Sequence, residues 1–77
     1  ILDGRAEALE FSIKEESSVT GVPLMDLNIR DNLLICCINR NGTILTPRGQ
    51  NKIRVGDTVI VVTTHRGLRD IRDILKN

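Results

Sequence analysis

Few residues in this chain could carry chemistry. Cys36 and Cys37 stand side by side, and the single histidine is His65. Nucleophilic catalysis needs a nucleophile, a base and an orienting group brought together. A lone histidine between two segments reads instead as a surface or capping residue. The acids Asp3, Glu7, Glu10, Glu15, Glu16, Asp26, Asp31, Asp57, Asp70 and Asp73 are scattered, and no two are spaced for paired acid and base work. There is no C-x-x-C or H-x-x-x-H spacing for a metal. Neighbouring side chains on a strand point to opposite faces, so the two cysteines read as separate buried small hydrophobes. A buried free thiol pair places the chain in a reducing compartment, the cytoplasm. No G-x-G-x-x-G or G-x-x-x-x-G-K-[ST] run cradles a phosphate. The expectation is no catalytic residue, no metal and no enzyme.

Nucleic acid is also an unpromising partner. Net charge is +1, with acids and bases interspersed, and Phe11 is the one aromatic residue. Single-strand binding wants a basic groove with several stacking rings. The longest apolar run, 33–38, is far short of the roughly 20 residues that span a bilayer as a helix.

The elements that must position these residues read as follows. Residues 7–13 alternate, with Leu9, Phe11 and Ile13 on one side, the pattern of a half-buried strand. Residues 14–20 are a polar loop. Pro23 to Leu27 makes a short helix of one or two turns burying Leu24 and Leu27. Residues 33–38 are apolar on both faces, with Leu33, Ile35 and Cys37 on one and Leu34, Cys36 and Ile38 on the other. Asn41-Gly42 is a strong hairpin signal, and residues 43–46 return from it. Pro47-Arg48-Gly49 and Val55-Gly56-Asp57 are turns around a polar stretch. Residues 58–64 form a β-branched strand, with Val59 and Val61 opposed to Ile60 and Val62. Leu68, Ile71, Ile74 and Leu75 fall on one stripe of a helix running from about Arg66 or Gly67 to Leu75. Arg66–Asp70 and Arg69–Asp73 would pair along it. The fold class expected is α+β, a sheet of about four strands with its last three in a meander, a short N-terminal helix and a C-terminal helix.

One domain of 77 residues buries only about 60% of its unfolded surface. Neither disulfides nor metal supplement that core here, which leaves a partner. One helix covers one sheet face, yet two strands are apolar on both. A second copy is the economical cover, and the residues expected at the dimer interface are Leu33, Leu34, Ile35, Ile38, Ile60 and Val62. A second feature is Ile29-Arg30-Asp31-Asn32 just before the central strand, near Pro47 across the hairpin. Arginine suits a phosphate and its aliphatic neighbours suit a base. Alternatively Arg30 pairs with Asp31, Asp26 or solvent.

The runs Gly21-Val22-Pro23-Leu24-Met25-Asp26-Leu27, Leu33 to Gly42, Thr46-Pro47-Arg48-Gly49 and Val55-Gly56-Asp57 to Val62, in this order and spacing, resemble the TrkA C-terminal domain. That domain is the second half of an RCK-type (regulator of potassium conductance) unit. The ending Thr63 to Ile71 is similar to the end of the potassium-uptake regulators of this family. Residues 1–5 read as a linker from an upstream domain, and the resemblance implies a regulatory domain over 6–77. It also implies a cytoplasmic homodimer beneath the membrane, gating a membrane potassium transporter subunit. The alternatives are a cyclic di-AMP sensing domain and an RCK-like appendage on another transporter. NAD or ATP would belong to an upstream Rossmann-type half, so no cofactor is expected in this domain. Some relatives bind cyclic di-AMP at the dimer interface, and the matching positions here are Ile29, Arg30, Leu33 and Pro47. The connection from Arg30 to the strand is shorter than in those relatives, and Leu34 replaces a polar residue.

Overall fold

The computed structural model describes residues 5–76. Of the expected linker, residues 1–4 lie outside the described residues. Four strands build one antiparallel sheet: β1 (Glu7–Ser12), β2 (Leu33–Arg40), β3 (Thr43–Leu45) and β4 (Thr58–Thr63). Their order is β1-β4-β2-β3. The last three strands therefore do not form a meander. β2 and β3 are a hairpin, but β4 crosses back and inserts between β1 and β2. That placement suits a strand rich in β-branched residues, because both of its edges and one whole face become dry.

Register divides the sheet into two unlike faces. Leu9 pairs with Val61 and Phe11 with Val59. Leu33, Ile35 and Ile38 pair with Thr63, Val61 and Val59. Val59, Val61 and Ile38 are fully buried, so this is the core face. Ala8, Glu10, Leu34, Ile60, Val62 and Ile44 lie on the other side. A bulge falls between Ile35 and Cys37, where two β2 residues oppose Ile60. It shifts the alternation by one. Ile38 therefore joins Leu33 and Ile35 on the core face, and Cys37 joins Leu34 and Cys36 on the open face. The alternation expected for β2 holds only up to Cys36, and Cys37 and Ile38 are the residues that change face.

Among the described residues no α-helix covers the core face. Val19 and Ile53 pack there from irregular segments and Ile71 and Ile74 from a short 3-10 turn, with Leu24, Leu27 and Leu75 beside them. Those segments satisfy their backbone groups through isolated bridges, Thr20 with Ile53, Pro23 with Lys52 and Ile29 with Leu75.

The two expected helices are each one 3-10 turn. The first is Leu24–Asp26, and Pro23 is its extended N-cap residue. The second is Ile71–Ile74. Before it, Gly67 adopts φ +81° and Asp70 is extended, which stops a helix from starting at Arg66 or Gly67. The stripe of Leu68, Ile71, Ile74 and Leu75 reported burial, and a short 3-10 turn followed by extended chain buries Ile71 and Ile74 equally well. The expected i,i+4 pairs are replaced too. Arg66 binds Glu7, and Asp70 binds Arg72. The Asp73 carboxylate accepts from the backbone N–H groups of Arg69 and Asp70. No helix among the described residues is long and apolar enough to cross a membrane.

Candidate functional site

The open end of the hairpin carries a shallow depression of about 390 Å³. Ile29, Arg30, Leu33 and Pro47 all line it, together with Met25 and Arg48. These residues come from three separate segments, and the backbone explains why they meet. The N–H of Arg30 donates to the Ile74 carbonyl at 2.9 Å, and the N–H of Lys76 to the Asn28 carbonyl at 2.8 Å. Residues 28–30 are thus laced to the C-terminal segment. Asn32, at φ +59°, then turns the chain into β2. On the far wall, the Met25 N–H donates to the Gly49 carbonyl at 3.0 Å. A Cβ at position 49 would lie 3.2 Å from the Met25 Cβ, so glycine lets the two segments close.

Arg30 pairs with neither Asp31 nor Asp26. Its Nε donates to the Asp73 carbonyl at 2.6 Å. One edge of the guanidinium is thereby fixed, and among the described residues its terminal nitrogens have no carboxylate partner. With Arg48 exposed on the opposite side, the depression offers two cations above Ile29, Leu33 and Pro47. That chemistry suits a flat apolar group carrying an anion.

The second candidate surface is the open sheet face. Leu34 is 64% and Ile44 61% exposed, with Ile60 and Val62 half-buried between them. Of the six residues expected at a dimer interface, Leu34, Ile60 and Val62 lie here. Leu33, Ile35 and Ile38 face the chain's own core, and Ile38 has no exposed surface. The bulge moved Ile38 inward.

Both cysteines are free. They are not a buried pair: Cys36 is exposed and Cys37 half-buried, both on the open face. Burial, and then the neighbouring Cys36 thiol, push the Cys37 thiol above its ordinary range. His65 makes two local contacts. Its Nε2 lies 2.6 Å from the Asp31 carbonyl, and its N–H donates to Thr63 Oγ1 at 3.0 Å.

One relationship escaped the reading of the residues. Asp57, of the Val55-Gly56-Asp57 turn, is 2% exposed and is held by Arg40 of β2. The Arg40 guanidinium holds its carboxyl below the usual range. Its signal in the sequence is that the turns Arg40-Asn41-Gly42 and Gly56-Asp57 carry opposite charges.

Comparison with known proteins agrees with this architecture. A solved structure described as an RCK domain with cda superposes with a TM-score of 0.63 at 22% identity, covering 77% of this chain and 81% of that one. The fold is therefore that of an RCK-type domain. A family model, the TrkA-C domain, matches residues 8–76. The chain belongs to the TrkA-C domain family. A Trk system potassium uptake protein TrkA homolog from Archaeoglobus fulgidus is 34% identical over 71 residues, which is 92% of this chain. TrkA homolog 2 of Methanosarcina mazei is 27% identical over 74 residues, or 96% of this chain. The chain spans 16% of the length of each of these two relatives.

Proposed function

We propose that this chain is a regulatory, self-associating module of a potassium-uptake regulator and not an enzyme. The observation that carries the reading is the open sheet face, where Leu34 and Ile44 are more than half exposed beside Ile60 and Val62. A face of this kind is costly in water and is relieved by a second copy. In this reading two copies pair through Leu34, Ile60 and Val62 in the cytoplasm. Relative movement of the protomers, driven by an upstream Rossmann-type half that takes NAD or ATP, gates a membrane potassium transporter subunit. Sedimentation at micromolar concentration tests the pairing: a dimer that Leu34→Glu converts to a folded monomer supports it. A wild-type chain that sediments as a stable, folded monomer rejects it.

A second role is favoured by one specific observation, the meeting of Ile29, Arg30, Leu33 and Pro47 in one depression. We propose that this depression takes cyclic di-AMP, with Arg30 on a phosphate and the aliphatic residues against a base. Calorimetry with cyclic di-AMP checks this beside an Arg30→Ala variant. Heat in the wild type that the variant loses supports the site, and no heat in the wild type rejects it.

A further inference from the structure

The β2 bulge has an effect on the two cysteines that a regular strand would forbid. Consecutive Cα atoms are about 3.8 Å apart, but on a regular strand their side chains leave opposite faces. Here Ile35 pairs with Val61 on the core face, and the next paired residue is Cys37, against Ile60. Cys36 alternates away from Ile35 and so emerges on the open face. Cys37 shares Ile60's side, which is also the open face. Adjacent thiols therefore rise from the same surface. Both are free, and Cys36 is exposed. The influence of the Cys36 thiol on Cys37 agrees with their closeness.

We infer that Cys36 and Cys37 form a vicinal dithiol site that captures a thiophilic trivalent metalloid, of the arsenical class, as a single chelate. The coordination demand decides the class. Zinc in a closed site wants four protein donors, and among the described residues no group of three or more His, Cys, Asp or Glu could hold a metal ion. A trivalent organoarsenical needs only two soft sulfur ligands, because its third bond is already to carbon. Thiolates select soft centres of this kind. With an arsenoxide the step balances without redox change. Two S–As bonds form, while two S–H bonds and the As–O bonding break. Both protons leave with the oxygen as one water, and arsenic stays trivalent.

The site does not depend on self-association, although a partner on the open face would compete with the arsenical for that surface. The probe is phenylarsine oxide added to the purified chain, read by intact mass and by maleimide labelling. One adduct per chain is expected, blocking both thiols, resisting excess 2-mercaptoethanol and released by 2,3-dimercaptopropanol. Cys36→Ser and Cys37→Ser should each lose the resistance to the monothiol. Leu34→Glu, which disrupts the proposed pairing surface, should retain the adduct whether or not the wild type dimerises. The inference is overturned if the wild-type adduct yields to 2-mercaptoethanol as readily as either serine variant. It is also overturned if two arsenicals load per chain or if one bridges two chains. Maleimide protection is read on the wild type, so a poorly folding variant does not remove the test.

Discussion

Arg40 closes on Asp57 as a fork, with Nε donating to Oδ1 and Nη2 to Oδ2, both at 2.9 Å. The Asp57 side chain is 1% exposed, whereas Arg40 keeps 25%. A third donor, the Arg54 N–H, reaches Asp57 Oδ2 at 2.8 Å, and Arg40 Nη2 also donates to the Lys52 carbonyl. Two residues 17 apart thus tie the hairpin strand to the turn that launches β4. The bidentate geometry and near-complete burial set this pair apart from an exposed ion pair.

Removing Arg40 strands a buried carboxylate. Arg40→Met is expected to destabilise the chain by about 3 kcal/mol at neutral pH, measured by urea unfolding. The pH dependence gives the sign. Arg40 lowers the folded pKa of Asp57, so the stabilisation is fully present above the unfolded value of about 3.9 and is lost as pH falls through the folded value. The gap between wild type and Arg40→Met should therefore shrink as the pH drops below about 4. A gap independent of pH would refute the assignment.

The β2–β3 turn places Asn41 at φ +53° and Gly42 at φ +85°. The Gly42 N–H donates to Asn39 Oδ1 at 3.0 Å. No atom lies near a Cβ added to Gly42, so only backbone conformation opposes a side chain there. Gly42→Ala should cost about 1 kcal/mol, seen as a lower urea midpoint with an unchanged slope.

Asp70 and Asp73 form a capping box around the last 3-10 turn. Hydrogen bonds from the backbone N–H groups of Arg69 and Asp70 lower the Asp73 pKa. Asp73→Ala is expected to cost about 1 kcal/mol. The same residue's carbonyl holds Arg30, so loosening this turn should also weaken any anion bound at the depression. Calorimetry of the variant with cyclic di-AMP reads that second effect, provided that the wild type binds. As with Asp57, the side-chain contribution is present above about pH 3.9 and fades as pH falls further.

Two leucine-sized residues of β2, four apart, should behave oppositely. Ile38→Ala empties a fully buried position and is expected to cost about 3 kcal/mol in unfolding. Leu34→Ala removes a side chain that is 64% exposed and should change monomer stability by less than about 0.5 kcal/mol. Its effect should instead be on sedimentation, by weakening self-association. Equal unfolding costs for the two would contradict the register shift at the bulge.

The strands were legible because their cues are local. Alternation marked Leu9 and Phe11, Asn41-Gly42 marked the hairpin, and the β-branched run marked β4. The depression was legible in its parts, since Ile29, Arg30, Leu33 and Pro47 could be named from the residues and the resemblance. Arg30's partner was not, because the Asp73 carbonyl is 43 residues away and carries no side-chain signature. The C-terminal helix failed for a different reason. A spacing of i, i+3 and i+6 is compatible with a helix, and also with a short 3-10 turn whose N-terminus is capped by Asp70.

By itself the sequence determined a small sheet-based domain of the TrkA-C family, its turns and most of its buried residues. The sheet, the turns and the buried residues follow from side-chain type and short-range spacing, whereas the family followed from the resemblance. Tertiary structure alone decided that β4 lies between β1 and β2, that irregular chain replaces helix over the core, and that Ile38 points inward while Cys36 and Cys37 point outward. Each of those depends on cross-strand register. A single unpaired residue in β2 reverses every side chain after it, and only the partner strand determines where that residue falls.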